Sequence, residues 1–192
     1  MQFDKATEFI LNKLDKELPK HLYYHCIAHT EDVYASAKML AKMEQINAYQ
    51  TQLVLTAACY HDSGFLNSST GHEEISCMIA SQNLRLFKYS QDEIDLICEM
   101  IRATRIPQSP KNHLEQIIAD ADLDYLGRND FFTISQKLFK ELLHTGVISD
   151  EAEWNAVQLS FIEGHHYFTK SASILREDKK QSNIEKIKAN LH

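Results

Sequence analysis

Leu53-Val-Leu-Thr-Ala-Ala-Cys-Tyr60 is an apolar run that stops on the dipeptide His61-Asp62. The run carries no charge, glycine or proline, and with the residues from about Tyr49 it reads as a central helix that is apolar nearly all round. An imidazole and a carboxylate pressed against the end of such a segment form a demanding arrangement, because a buried charge is costly unless it is paired or bound to metal. Two further groups of the same chemistry lie on either side. His29 occurs in Tyr24-His25-Cys-Ile-Ala-His29-Thr30-Glu-Asp-Val33, and Asp122 in Ile117-Ile-Ala-Asp-Ala-Asp-Leu-Asp-Tyr-Leu-Gly127. Two imidazoles and two carboxylates suit one hard or borderline divalent cation and leave coordination positions open for water and substrate.

Outward from this run the pattern is helical. Phe3, Ala6, Ile10, Leu14 and Leu18 predict a first amphipathic helix stopped by Pro19. A second runs from about His25 or Cys26 to Ile46, and the central helix is the third. Ser63–Gly71 is rich in turn formers and reads as a loop. Thr70-x-x-Glu73 then reads as a capping box opening a fourth helix to about Phe87, and Ser90-x-x-Glu93 repeats the device for a fifth. Pro107 and Pro110 bracket another loop. A sixth helix ends near Gly127, a seventh spans Phe131 to Leu143, and Asp150–Ile187 is helical with a break near Gly164-His165-His166. The fold class is therefore all-α, with residues 1–192 as one domain: a core of about 23–128 and a C-terminal helical extension over 129–192. Only five glycines and three prolines in 192 residues argue against a sandwich or barrel.

A net charge of −7 excludes a broad nucleic-acid or anionic-membrane surface, while leaving room for a local phosphate site. Cys26, Cys59, Cys77 and Cys98 lack CxxC spacing and have apolar neighbours, so they read as buried free thiols in a reducing compartment. With no signal-peptide pattern at Met1-Gln-Phe-Asp-Lys and no apolar stretch of membrane-spanning length, the expectation is a cytoplasmic protein, with a homodimer allowed.

The order His29, His61-Asp62, Asp122, each beside a helix-like apolar run, resembles the HD-domain metal-dependent phosphohydrolases over roughly Tyr23 to Arg128. The resemblance implies a compact helical bundle in which His29, His61, Asp62 and Asp122 hold a divalent ion (Mn, Fe, Ni, Co, Mg or Zn). It also implies an activated water oriented by Asp62, and hydrolysis of a phosphate ester or anhydride, on a nucleotide or another small phosphorylated metabolite. It favours Asp122 over its neighbours Asp120 and Asp124. Asp120 is then left to orient a ligand or basic group, and Asp124 to face solvent or an outer partner. Tyr24-His25-x-x-x-His29 also looks like the pattern of cyclic-nucleotide phosphodiesterases, which would make His25 a general acid; the alternative is a helix-start or supporting residue. Those enzymes place another His three residues after the dyad's Asp, where this chain has Phe65, a departure that argues against a cyclic-nucleotide substrate.

His72, in the first turn of the fourth helix, is a candidate acid/base or substrate-contacting residue. The helix dipole should keep it neutral there. Glu73 has a sufficient role in the expected capping box, and His113 lies in a polar loop and reads as exposed. Arg102 and Arg105, without an adjacent acidic partner in sequence, and Lys111 are the candidates for holding phosphate, with Arg128 a further one. In Gly164-His-His-Tyr-Phe-Thr-Lys170, Tyr167 or Phe168 could stack on a base and Lys170 could reach a phosphate; equally, the aromatics belong to the core and both histidines cap a bent helix. Two rival functions remain open: an HD-type di-iron oxygenase, which needs extra ligands from His72, His113 or His165, and a catalytically inactive nucleotide-sensing module.

Overall fold

A computed structural model describes residues 1–190, which are helical with no strand among them. The elements are α1 (Phe3–Glu17), α2 (Ile27–Met43), α3 (Ala48–Tyr60), a 3-10 turn (Ser63–Leu66), α4 (His72–Leu86), α5 (Gln91–Ala103), α6 (His113–Asp122), a second 3-10 turn (Asp124–Gly127), α7 (Phe131–His144), α8 (Glu151–Gly164) and α9 (Lys170–Asn190). None of these helices is long and apolar enough to cross a membrane.

The all-apolar reading of α3 is explained by its position. Every residue from Leu53 to Tyr60 is buried, because α1, α2, α5 and α6 pack round it. Asn47 and Gln50 close a capping box at its start, so its N-terminal N–H groups are satisfied before it enters the core. The helix thereby carries His61 and Asp62 into the interior on a rigid element. A second apolar cluster joins Tyr24 and the Asp124–Gly127 turn to α7, α8 and α9.

α9 is fastened to that turn by polar as well as apolar contacts. Arg176 donates to both Asp124 oxygens at 2.7 and 3.0 Å, and the Asn183 amide donates to the carbonyls of Leu126 and Arg128 at 2.9 and 3.1 Å. Gly127 lies so close to α9 that a Cβ there would collide with the backbone and Cβ of Arg176. Asp120 accepts from the N–H groups of Phe168 and Thr169 and from the Thr169 hydroxyl, which seats the start of α9.

Several expectations change. The Ser90–Glu93 capping box is present, but Thr70–Glu73 is not one: the N-cap of α4 is Gly71, in the left-handed region at φ +66°. Ser63–Gly71 is not a free loop, since Ser63–Leu66 folds as a turn whose first three residues are buried. Gly64 packs against the His72 backbone, where a Cβ would collide with the carbonyl, and its N–H donates to the Ser76 hydroxyl at 2.7 Å. α6 stops at Asp122, with a separate turn following it. Of the two alternatives for Asp124, it takes a partner rather than solvent: it is 1% exposed and bound by Arg176 and Ser36. The four cysteines are free, but Cys26 is only half-buried.

Candidate metal centre and cavity

Four side chains converge where α2, α3 and α6 meet. His29 comes from the first turn of α2, His61 and Asp62 from the end of α3, and Asp122 from the last residue of α6. The Nε2 atoms of His29 and His61 are 3.3 Å apart. Asp62 Oδ2 lies 3.2 and 3.1 Å from them, and Asp122 Oδ1 3.3 and 3.5 Å. Ligand atoms about 2.1 Å from one ion, at mutual angles of about 90–109°, are about 3.0–3.4 Å apart, so the separations among His29, His61 and Asp122 fit a shared cation, with Asp62 Oδ2 beside both imidazoles. Asp62 Oδ2 is buried without a hydrogen-bond partner, an orphaned acceptor that a cation would satisfy. The His61 Nδ1–H donates to the Ala58 carbonyl at 2.9 Å, which fixes the tautomer and leaves the Nε2 lone pair facing the other three groups.

The charges reinforce the geometry. Burial works against the charged form of His29, but Asp122 and Asp62 outweigh it and raise its pKa to about 9. Burial likewise raises the Asp122 carboxyl, but His29 and His61 overcome it and hold the pKa at about 2. Asp62 is held well below the usual carboxylate range, with His61, His29 and His72 together overcoming its burial. Two carboxylates kept ionised beside two imidazoles make a site that a divalent ion can enter by displacing protons from nitrogen.

The centre forms the polar end of a cavity of about 590 Å³. His25 and His72 line it, their ring centroids 6.3 Å apart, and Phe65 packs against both at 4.1 and 4.3 Å. Phe65 thus occupies the sequence position where the phosphodiesterase pattern has a histidine. The His72 Nδ1–H donates to the Ser69 carbonyl at 3.1 Å, and Nε2 stands 3.4 Å from Asp62 Oδ1. Burial opposes a proton on His72, but Asp62 and Glu73 outweigh it, so its pKa is raised, opposite in direction to the effect of the helix dipole. Glu73 is buried beside His72 and Arg105.

His25 is held by a residue the sequence did not single out. Glu141 of α7, 3% exposed, accepts from the N–H groups of Tyr24 and His25 at 2.8 and 3.1 Å and pairs with His25 Nδ1. Tyr24 was also missed as a site residue, although it lines the cavity and its ring lies 4.6 Å from that of His29.

The expected phosphate-binding cations sit elsewhere. Arg102 and Arg105 do have an acidic partner: both reach Glu74 on α4, at 3.1 and 2.9 Å, and Arg105 also lies 3.5 Å from Glu73. Neither they nor Lys111 line the cavity, although Arg105 touches its rim through Glu73. Lys111 is exposed, and only its backbone N–H is engaged, by Glu115. Arg128 pairs with Asp32 and Asp130. His113 is exposed and donates to Glu44 at 2.8 Å. Tyr167 is a core residue, while His165 and Phe168 line a separate cavity of about 270 Å³.

The HD-domain family model matches residues 26–124, just over half of the chain, a span that holds all four converging side chains. No curated protein matches significantly. Among solved structures, a predicted HD superfamily hydrolase from an uncultured Thermotogales bacterium is 21% identical, with a TM-score of 0.64 over 98% of this chain and 90% of its own. YpgQ of Bacillus subtilis, in complex with ADP, is 18% identical, with a TM-score of 0.66 over 98% and 95%. A Lactobacillus plantarum protein is 18% identical, with a TM-score of 0.68 over 99% and 98%. At these identities the likeness is one of fold, extending through α7 to α9.

Proposed function

Because the chain belongs to the HD-domain family, we propose that it is a metal-dependent phosphohydrolase acting on a nucleotide or another small phosphorylated metabolite. The observation that carries this reading is the convergence of His29, His61, Asp62 and Asp122 at the polar end of a cavity large enough for a small molecule. The ADP complex of YpgQ, which shares the fold, supports a nucleotide.

A divalent ion held here supplies Lewis acidity towards a phosphoryl oxygen and a nucleophilic water at neutral pH. Asp62 is divided between two tasks: Oδ2 faces the imidazoles, while Oδ1 faces His72 and is free to orient an attacking water. His72, with Nδ1–H committed to Ser69, has Nε2 available to deliver a proton to the leaving oxygen. His25, anchored at Nδ1 by Glu141, has its remaining nitrogen available to stabilise developing negative charge.

The test is metal analysis followed by a phosphoester and anhydride panel on protein reconstituted with each divalent ion in turn. The expected result is metal-dependent phosphate release that Asp62→Ala abolishes. A metal-loaded protein that hydrolyses nothing on the panel would favour a sensing module. Two irons with an oxygen-dependent optical band would favour an oxygenase, for which His113 and His165 stand away from the centre.

A further inference from the structure

The same cavity has a second end of different chemistry. Away from the metal centre it runs between α7 and α8, walled by Leu138, Leu142, Trp154, Phe161 and Ile162. Two polar side chains stand in the wall of this apolar chamber, Ser135 of α7 and Gln158 of α8, 4% and 8% exposed; the same wall also borders a smaller cavity of about 140 Å³. The Gln158 amide donates to the Ser135 hydroxyl, its only hydrogen bond among the described residues. Gln158 falls in the middle of the buried α8 stripe Trp154, Gln158, Ile162, where packing alone would be served by an aliphatic residue. An amide has two N–H donors and a carbonyl acceptor, so most of its capacity remains for a guest.

Resting on the phosphohydrolase reading, we propose that this chamber binds the nucleobase of a nucleotide substrate, with Gln158 and Ser135 reading the polar edge of the base. A flat heteroaromatic ring satisfies both features of the chamber: its faces stack on aromatic walls, and its edge offers adjacent donors and acceptors to an amide and a hydroxyl. An acyl chain would fill the apolar space but leave the amide and hydroxyl unmatched. The lining holds no Lys or Arg, so the phosphates belong at the metal end, with the base directed away from it.

Trp154, the single tryptophan of the chain, lines the chamber and the smaller cavity behind it, so its emission reports binding without reference to turnover, and a small, base-free phosphate serves as the control for the smaller cavity. Metal-loaded protein is titrated with adenosine, guanosine, cytidine and uridine, with their monophosphates, and with dodecyl phosphate as the aliphatic alternative. At least one base should quench Trp154 emission saturably. Gln158→Leu, which keeps the volume and the apolar packing, should weaken that binding tenfold or more and flatten discrimination among bases. Turnover of a base-free phosphate such as tripolyphosphate should be unchanged in the same variant. Ser135→Ala, a smaller change, should act in the same direction. No quenching by any base, or dodecyl phosphate binding that Gln158→Leu strengthens while base binding is unaffected, overturns the assignment. Base binding without hydrolysis of any phosphate would support the chamber while overturning the phosphohydrolase reading, so the two fail separately.

Discussion

Glu141 holds His25 across 116 positions of sequence: one carboxylate pairs with the imidazole and caps the backbone N–H groups of Tyr24 and His25. The bond fixes a ring that lines the cavity, so α7 contributes to the proposed site through His25. Glu141→Gln keeps an acceptor for the backbone but loses the charge opposite His25. Its kcat should fall about tenfold, within the range seen for supporting groups, with metal content unchanged. Glu141→Ala should in addition lower the melting temperature, because two buried N–H groups lose their partner. Wild-type kcat in the Gln variant would show that His25 has no part in turnover.

Asp62→Ala removes the carboxylate that bridges both imidazoles. Metal affinity should drop at least about 100-fold and phosphate release should vanish, while far-ultraviolet circular dichroism stays close to wild type. Chelation of the wild type should give the same loss, reversed by adding the ion back. Full metal occupancy in the variant would remove Asp62 from the ligand set.

His72 is the polar group best placed beyond the ligands to take part in proton transfer. His72→Ala should keep the metal and lose about 10²-fold in kcat, the usual scale for an acid/base group. Loss of metal instead would make His72 a ligand, and an unchanged kcat would leave it as the first residue of α4 and no more.

Arg102 and Arg105 form exposed ion pairs with Glu74, and such pairs contribute about 0–1 kcal/mol. Replacing either by Ala should therefore barely change the melting temperature. Arg105, at the rim, should show the larger rise in KM for an anionic substrate, shrinking as salt is added, since its action is long-range. Glu74→Ala, which frees Arg102 and leaves Arg105 only its contact with Glu73, should move KM the other way. KM values unaffected by all three changes would confine these residues to surface pairing.

His165 gives a pH signature of folding. Burial, with Lys180 and His166, lowers its pKa to about 4, against an ordinary value of 6.5. A depressed folded-state value means the unfolded chain binds the proton more tightly. The associated stability is present above pH 6.5 and is lost as pH falls through about 4. The melting temperature of the wild type should fall more steeply over that window than that of His165→Phe, and parallel curves would refute the assignment.

What the chain revealed by itself was what depends on neighbours in sequence. The Leu53–Tyr60 run marks the central helix because burial on all sides leaves no polar face, and the dyad shows because it terminates that run. Ser90–Glu93 was legible as a cap for the same local reason. Thr70–Glu73 offered the same spacing but was displaced by Gly71, whose left-handed backbone takes the cap position. The Arg102 and Arg105 partners were hidden because Glu74 sits one helix away, and Glu141 because α7 returns to the start of α2 only in three dimensions. Gln158 looked like an ordinary helical polar residue until the chamber showed which face of α8 is buried.

Asp124 stands two residues after Asp122 and is tied to α9 through Arg176, while Gly127 lets the α9 backbone lie directly on the same turn. The segment that carries Asp122 and the C-terminal third therefore do not behave as interchangeable cassettes. A chimera that imported a relative's α7–α9 to change substrate choice would also replace the seat of the turn that follows a ligand, and its metal affinity would shift with its specificity. Diversification in such a lineage has to proceed through matched changes on both sides of that seam, one pair at a time.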